Sequence, residues 1–217
     1  MREAKSQTSW TSNNREFEDA LRKFIRCTLE YEPFLNELER FVAKILPAGR
    51  INSLAQTLLK HTAPGIPDTY QGSELWDLSL VDPDNRRPVD YAVRRRLLAE
   101  LKNSSISEIW ERNDEGSAKM WTIHRALTVR RARAASFGEQ GGYFPLYDEG
   151  AESENFLGFR RGNDVITMVT RLPLSLKRGW GSTTVDIPHG RWLNQMTDQT
   201  IDGGIVKLKN VDRKSVV

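Results

Sequence analysis

The short segment from Gly65 to Tyr70 constrains the fold of this chain more than any other segment. Pro64 and Pro67 disfavour a helix there, and a short apolar run of this kind predicts a buried strand. The other segments before about residue 136 have the patterns of helices or loops. A lone strand leaves the hydrogen-bonding groups of both its edges without partners. We therefore expect residues 1–135 to belong to a larger α/β unit whose other strands lie outside this chain.

Apolar residues recur at helical spacing in five segments of this first part. Asn13 or Asn14 is the candidate cap of the first helix, which continues to Leu29. Prolines and a glycine set the expected limits of the others. These helices are expected over Pro33 to Ile45 (ended by Pro47 and Gly49), Ile51 to Leu59, Pro88 to Leu101 and Ala118 to Ala135.

The chain changes character after Phe137, where short β-type runs alternate with glycine-containing turns. Regularly spaced short strands of this kind predict a small antiparallel β-sandwich. We therefore expect one domain over residues 1–136 and a second over residues 137–217. The predicted strands are Tyr143 to Tyr147, Asn155 to Arg160, Asp164 to Thr170, Thr183 to Ile187, Arg191 to Met196 and Ile205 to Leu208.

Charge and composition narrow the function classes. The chain has 32 basic and 29 acidic residues, a net charge of +3. Its run Arg94 to Arg96 spreads around a helix instead of forming one basic face, which argues against nucleic-acid binding. No run approaches the ~20 apolar residues of a membrane span. The first ten residues, MREAKSQTSW, lack the apolar centre of a signal peptide.

Cysteine usage agrees with a reducing compartment. Cys27 is the single cysteine, so the chain has no internal disulfide and no cysteine-based zinc site. No metal-ligand pattern and no phosphate-binding glycine loop occurs in the sequence, so no metal or other cofactor is predicted. We expect a cytoplasmic protein without membrane or nucleic-acid partners.

The loop that follows Tyr70 is rich in polar and charged side chains. Its acids, arginines, amides and indole are groups that sugar hydroxyls and pyranose faces bind. This composition exceeds what a solvated loop requires and predicts a surface that grips a hydroxyl-rich ligand. The candidate substrate-binding residues are Tyr70, Gln71, Glu74, Trp76, Asp77, Asp82, Asn85, Arg86 and Arg87.

The block from Tyr70 to Asp90, YQGSELWDLSLVDPDNRRPVD, resembles the maltooligosyltrehalose synthase family of the alpha-amylase superfamily of glycoside hydrolases. The resemblance also rests on Arg2 to Lys5 with Thr8 to Trp10, and it covers nearly the whole chain. Weaker matches lie further on, at Gly142 to Leu146, Gly158 to Arg161, Arg171 to Pro173 and Gly190 to Trp192.

The resemblance implies the C-terminal part of a (β/α)8 barrel followed by a β-sandwich. Residues 65–70 would be the last barrel strand, and residues 14–60 would form helical insertions and the approach to that strand. The loop over residues 70–87 would then line the sugar subsites, because loops after barrel strands build the active face.

The family resemblance also implies a reaction. The parent enzyme would be a (1→4)-alpha-D-glucan 1-alpha-D-glucosylmutase, an intramolecular transferase of trehalose biosynthesis. It would convert the reducing-end alpha-1,4 bond of a maltooligosaccharide into an alpha,alpha-1,1 bond by retaining chemistry with two carboxyl groups. The pathway partner would be a maltooligosyltrehalose trehalohydrolase.

The sequence departs from the family pattern at both ends. The catalytic carboxylates of the family lie on earlier barrel strands, and their motifs do not occur here, so we assign no catalytic residue and expect the chain to be inert alone. The last residues, DRKSVV, do not match the expected apolar strand. Two alternatives remain: a non-catalytic maltooligosaccharide-binding or accessory module, and a fragment of a related amylase-type hydrolase.

Several candidate residues have structural alternatives. Trp76 would stack on a pyranose ring or plug the barrel mouth. Glu74 and Asp77 would contact sugar or pair with Arg86 or Arg87. Asp-Pro-Asp-Asn at residues 82–85 is turn chemistry, and nearby arginines invite ion pairs that fix the loop. The remaining aromatic and imidazole signals are interpreted as structural: Trp10, Trp110, Trp121, Trp180 and Trp192 as core or domain contacts, and His61, His124 and His189 as satisfied or exposed imidazoles.

Overall fold

The protein is described by a computed structural model, which covers residues 1–79 and 86–211. The predicted site residues Asp82 and Asn85, with their neighbour Asp84, lie outside the described residues. Backbone proximity divides the chain into two compact units, Met1–Pro47 and Ala48–Val217. None of the helices in the described part is long and apolar enough to cross a bilayer.

The first unit contains α1 (Arg15–Glu30) and the start of α2 (Glu32–Thr62). The side chain of Asn14 accepts a hydrogen bond from the Phe17 amide at 3.1 Å. This bond satisfies one of the free N–H groups at the start of α1, which confirms the predicted cap.

A buried carboxylate organises the residues around α1. Glu18 is 2% exposed and accepts hydrogen bonds of 2.8 Å from Nε and Nη2 of Arg2 and from Oγ1 of Thr8. The bond from Arg2, followed by that from Thr8, lowers the pKa of Glu18 to about 2. Thr8 and Glu18 are the buried residues of the described first unit, so a polar network stands where most folds have an apolar core.

The second and third predicted helices are one helix, α2, with Pro47 inside it. The predicted break is therefore wrong. A proline removes one backbone hydrogen bond from a helix and clashes with the preceding turn, which usually ends or kinks it. Here the helix continues beyond that position into the second unit, whose core includes Leu54 and Leu58.

In the described part of the second unit, four further α-helices precede the strands. They are α3 (Tyr91–Leu101), α4 (Ile106–Glu111), α5 (Ser117–Ala132) and α6 (Ala134–Phe137). The start of α3 lies three residues after the predicted Pro88, because the side chain of Asp90 accepts from the Val93 amide and caps the helix there. The sequence interpretation missed α4 altogether, although Ser105 and Glu108 form a capping box at its start.

Among residues 1–79 and 86–211, six strands form two antiparallel sheets of three strands each. They are β1 (Phe144–Leu146), β2 (Asp148–Glu149), β3 (Phe156–Arg161), β4 (Val165–Thr170), β5 (Thr184–Leu193) and β6 (Thr200–Lys207). The sheet orders are β1-β3-β4 and β2-β5-β6. The two runs predicted at 183–187 and 191–196 are one strand, β5, with a register irregularity between Ile187 and Arg191.

One apolar cluster joins the two sheets. Phe156 of β3 and Ile166 of β4 belong to the same cluster as Val185 of β5 and Val206 of β6. Trp180 is 5% exposed in this cluster, and the short helix α7 (Leu208–Val211) closes it with two buried residues. The interpretation of Trp180 as a core residue is thus confirmed.

The segment from Gly65 to Tyr70 is not a strand, and it is not buried. Residues 66–70 have no regular secondary structure, and Ile66 is 96% exposed. A strand requires ladder hydrogen bonds to a neighbouring strand, and the described residues provide no such strand beside this segment. Within this part of the chain the segment is therefore neither buried nor paired with another strand, and its assignment as a barrel strand, which needs neighbours outside the chain, stays a prediction.

A buried guanidinium connects the helices of the second unit to its sheets. Arg161 of β3 is 3% exposed and donates to the carbonyl oxygens of Gly142 at 2.7 Å, Thr62 at 3.4 Å and Phe137 at 3.5 Å. These acceptors lie at the end of α2, at the end of α6 and just before β1. Burial, and then the charge of Arg130, lowers the pKa of Arg161.

Replacing Arg161 by Met should destabilise the protein. The variant keeps most of the aliphatic stem but leaves three carbonyl groups without their donor, so we expect the free energy of unfolding to fall by about 2 kcal/mol or more in urea denaturation. The matched control is Arg171→Met, at an exposed arginine just after β4, which should change it by less than about 0.5 kcal/mol. Equal effects of the two variants would contradict the connecting role.

Acid should loosen the first unit through Glu18. Its folded-state pKa of about 2 lies below the ordinary 4.5, so its contribution to stability is complete above about pH 4.5 and is lost as the pH falls towards 2. The indole signal of Trp10, the single tryptophan of residues 1–47, should report this loss in NMR spectra.

The comparison variants separate Glu18 from general acid effects. Glu18→Gln should lose most of the pH dependence between 4.5 and 2, because the titrating group is gone. Glu16→Gln, at an exposed position of the same helix, should behave like the unmodified chain. A pH profile unchanged in Glu18→Gln would disprove this assignment.

Candidate functional site

Arg94 of α3 holds the start of the candidate loop. Its Nε donates to Oε2 of Glu74 at 2.8 Å, and its Nη2 donates to the carbonyl oxygen of Gly72 at 2.7 Å. The two side chains are 18% and 28% exposed, so water only partly weakens the ion pair. Glu74 is thus paired with Arg94, a partner that the sequence interpretation did not consider.

Trp76 faces inward and fixes the middle of the loop. Its Nε1 donates to the carbonyl oxygen of Asn113 at 2.5 Å, and its ring packs against the core cluster of α3 and α5. The guanidinium of Arg50 lies 6.0 Å from the ring centroid and the ammonium of Lys119 lies 5.9 Å from it. The half-buried indole therefore braces the loop, which favours the structural alternative over sugar stacking.

Lys119 holds the same stretch of backbone from α5. Its Nζ donates to the carbonyl oxygen of Leu75 at 3.0 Å. Burial is the main cause that lowers the pKa of Lys119, and the charge of Lys60 adds to it. The loop is thus attached to α3 through Glu74 and to α5 through Leu75 and Trp76.

The exposed groups of the described loop lie on either side of the half-buried residues 72–76. Tyr70 is 49% exposed, and Gln71 is also exposed. Oε1 of Gln71 accepts a hydrogen bond from the hydroxyl of Tyr91 at 3.3 Å, which brings a second phenol next to the amide. Arg86 and Arg87 are exposed at the far end of the loop.

Asp77 stabilises its own turn. Its Oδ1 accepts from the backbone amide of Ser79 at 3.0 Å and from the hydroxyl of the same residue. These two bonds, led by that of the hydroxyl, lower the pKa of Asp77, so its carboxylate is ionised near neutral pH. The second carboxylate oxygen remains available to accept a hydrogen bond from a ligand.

A cleft of about 540 Å³ adjoins the loop between α3 and α5. Glu74, Tyr91 and Arg94 line its end nearest the loop, and Met120 and Ile123 contribute apolar surface. This volume is within the range of small-molecule sites, about 300–1,000 Å³. The described residues contain no group of three or more side chains that could hold a metal ion.

The surroundings of two of the histidines indicate a structural role. His61 is 1% exposed, with Nδ1 2.7 Å from the carbonyl oxygen of Thr57, and burial lowers its pKa. His124 packs near Trp121, with ring centroids 5.9 Å apart, and burial lowers its pKa as well. Of the two alternatives for His61, a satisfied or an exposed imidazole, the hydrogen bond to Thr57 supports the first.

Comparison with known proteins identifies the relatives. A protein of Mycobacterium tuberculosis (strain H37Rv) assigned as a maltooligosyl trehalose synthase is 39% identical over 204 residues, which are 94% of this chain and 25% of that protein. The solved structure of maltooligosyltrehalose synthase from Arthrobacter ramosus matches with a TM-score of 0.88 and 36% identity. The chain is homologous to part of a maltooligosyltrehalose synthase.

The matches also show what fraction of each relative this chain covers. The match to the Arthrobacter ramosus synthase covers 99% of this chain and 28% of that chain. A synthase structure from Sulfolobus tokodaii matches with a TM-score of 0.70 and 28% identity. A scan against protein-family models finds no match. The chain therefore spans about a quarter of the length of its relatives, in agreement with the predicted C-terminal part of a synthase.

The comparison with the synthases confirms the family resemblance but assigns no role to individual residues. The sequence interpretation missed Tyr91, Arg94, Asn113 and Lys119 as parts of the site. Lys119, for example, lies 44 positions from the carbonyl group that it binds. The one available signal was Arg94, which belongs to a run of three arginines within a predicted helix.

Gly116 allows the loop to pack closely on α5, and its substitution should test that packing. A Cβ at Gly116 would lie 2.8 Å from the backbone nitrogen of Trp76 and 3.0 Å from the Cα of Leu75. The φ of Gly116 is +82°. We expect Gly116→Ala to lower the free energy of unfolding by about 2–4 kcal/mol, from backbone strain and overpacking together.

Gly179 provides the control for the strain alone. Its φ is +68°, and a Cβ there would have nothing within 4 Å. Gly179→Ala should therefore cost only about 1–2 kcal/mol in the same denaturation experiment. If the two variants lose equal stability, the loop does not pack tightly on Gly116.

Proposed function

We propose that this chain forms the sugar-holding, C-terminal part of a maltooligosyltrehalose synthase. The observation that carries the proposal is the match of 94% of the chain, at 39% identity, to a protein assigned to that activity. The fixed loop at residues 70–79 supports it independently. A loop attached to two helices presents its outer groups in one arrangement, which lowers the entropy lost when a ligand binds.

The reaction that we propose for the whole protein is conversion of the reducing-end alpha-1,4 bond of a maltooligosaccharide into an alpha,alpha-1,1 bond. Retaining chemistry of this kind needs a nucleophilic carboxylate and a second carboxyl that acts as acid and then base. We assign neither role to Glu74 or Asp77. Glu74 is paired with Arg94, and Asp77 is bound to Ser79.

The groups that we propose for sugar binding lie on the outer side of the loop. Gln71 and the hydroxyl of Tyr91 offer an amide and a phenol to sugar hydroxyls, and Tyr70 offers an exposed aromatic face. Arg86 and Arg87 supply further donors at the other end. We place Trp76 inside the wall as a brace, because its N–H is bonded to Asn113.

Several finer features belong to the same proposal. Residues 1–136 would complete a (β/α)8 barrel, in which residues 65–70 would become the last strand beside neighbours from the rest of the protein. Residues 137–217 would form a β-sandwich domain, as the shared cluster of the two sheets suggests. The cytoplasmic location and the partnership with a maltooligosyltrehalose trehalohydrolase remain predictions.

Calorimetry with maltopentaose tests the sugar-holding role. We expect the chain to bind with a dissociation constant in about the millimolar range, and Gln71→Ala to weaken binding about fivefold or more through loss of a hydrogen-bonding group. The matched control is Gln56→Ala, at an exposed glutamine of α2, which should bind like the unmodified chain.

Two outcomes would overturn the proposal. Absence of binding at tens of millimolar maltopentaose would remove the sugar-holding role. Formation of a non-reducing product by this chain alone, measured as loss of reducing ends, would show that it contains the catalytic carboxylates after all. Binding without turnover is the expected result.

A further inference from the structure

Trp10 is exposed and yet held in place. It is 61% exposed, although an indole is among the side chains that gain most from burial. Its Nε1 donates to Oε1 of Glu3 at 2.8 Å, and the guanidinium of Arg2 lies 5.2 Å from the ring centroid. Trp10 is therefore not a core residue of this chain, and its interpretation as a domain contact stays a prediction.

The support of Trp10 leads back to the buried carboxylate of the first unit. Arg2 donates two bonds of 2.8 Å to Glu18, and Glu18 accepts a third from Thr8. The bonds to Glu18 also raise the pKa of Arg2, so the guanidinium above the indole keeps its charge. An indole fixed by groups that are themselves fixed loses little freedom on binding, which favours affinity.

The surroundings of Trp10 are polar. Thr11, Ser12 and Asn13 are exposed, and Ser9 is half-buried with its hydroxyl bonded to the Ser12 amide at 2.9 Å. Hydroxyl and amide groups hydrogen-bond to sugar hydroxyls, and a flat aromatic ring covers the apolar face of a pyranose. The centre of a protein–protein interface is usually depleted of acidic side chains, whereas Glu3 bonds the Trp10 indole directly, so this setting favours a sugar.

We propose that Trp10 is a binding platform for one pyranose ring of an alpha-1,4-linked glucan, in addition to the site proposed at the loop of residues 70–79 and Tyr91. The platform consists of Trp10, Glu3 and Arg2. Glu3 bonds the indole through one carboxylate oxygen and has a second to accept from a sugar hydroxyl. The choice of glucan as the ligand rests on the proposed function, whereas the platform itself rests on the geometry of the first unit.

NMR titration of the ¹⁵N-labelled chain with maltoheptaose tests this platform. Each of the six tryptophans has an indole N–H signal, and the signal of Trp10 is assigned by its loss in Trp10→Phe. We expect the Trp10 signal to shift in a saturable way. Binding at this site is measured from the amide signals of residues 8–14. Trp10→Ala should weaken this binding at least about tenfold. Trp10→Phe should weaken it only a few-fold because a flat ring remains.

Two controls separate stacking from other effects. Tyr31→Ala removes another aromatic side chain of the first unit that is also 61% exposed, and it should leave binding unchanged. Glu3→Ala keeps the indole but removes the group that fixes it, so affinity should fall about threefold or more. Unchanged affinity in both Trp10→Ala and Glu3→Ala would overturn the platform.

The same spectra distinguish this inference from the proposed function. If amides of residues 70–79 and the Trp76 indole shift while Trp10 does not, the platform is wrong and the loop site stands. If Trp10 shifts alone, the platform stands and the loop is not a sugar site. If no signal shifts at tens of millimolar maltoheptaose, both are overturned.

Discussion

The guanidinium of Arg161 lies where the helices and sheets of the second unit converge. From β3 it reaches the carbonyl groups that end α2 and α6, and that of Gly142 just before β1. Two contacts from α5 reinforce this junction. Trp121 donates to the Met196 carbonyl oxygen at 3.1 Å, and Arg125 is paired with Asp198. The position of α5, and therefore of the loop attached to it, depends on these long-range polar contacts.

The sequence predicted well those features of the fold that depend on residues close together in the chain. The Asn14 cap and the strands β3 and β4 follow from patterns within a few residues, and each lies within one or two positions of its prediction. The break at Pro47 was wrong because a helix can tolerate the loss of one hydrogen bond. Residues 65–70 do not form a strand within the described part of the chain, because strand formation depends on a neighbour that a local pattern does not contain.

In the candidate site, too, the sequence predicted the local feature but not the contacts between distant residues. Composition drew attention to residues 70–87, and the structure attaches most of the described loop to two helices. Composition could not supply the partners, because Arg94, Asn113 and Lys119 lie 20, 37 and 44 positions from the groups that they bind. These partners convert a polar segment into a shaped surface. They also explain why its acids are poor candidates for catalysis.

The polar centre of the first unit has a thermodynamic consequence. Unfolding raises the heat capacity mainly when apolar surface becomes hydrated, whereas exposure of polar groups lowers it slightly. The buried residues of the described first unit are Thr8 and Glu18, while apolar side chains such as Phe24 and Phe41 are 67% and 58% exposed already. Melting of this unit would therefore change the heat capacity little. The heat-capacity change measured by scanning calorimetry would come almost entirely from residues 48–211. Unfolding of the first unit alone would change the measured heat capacity very little.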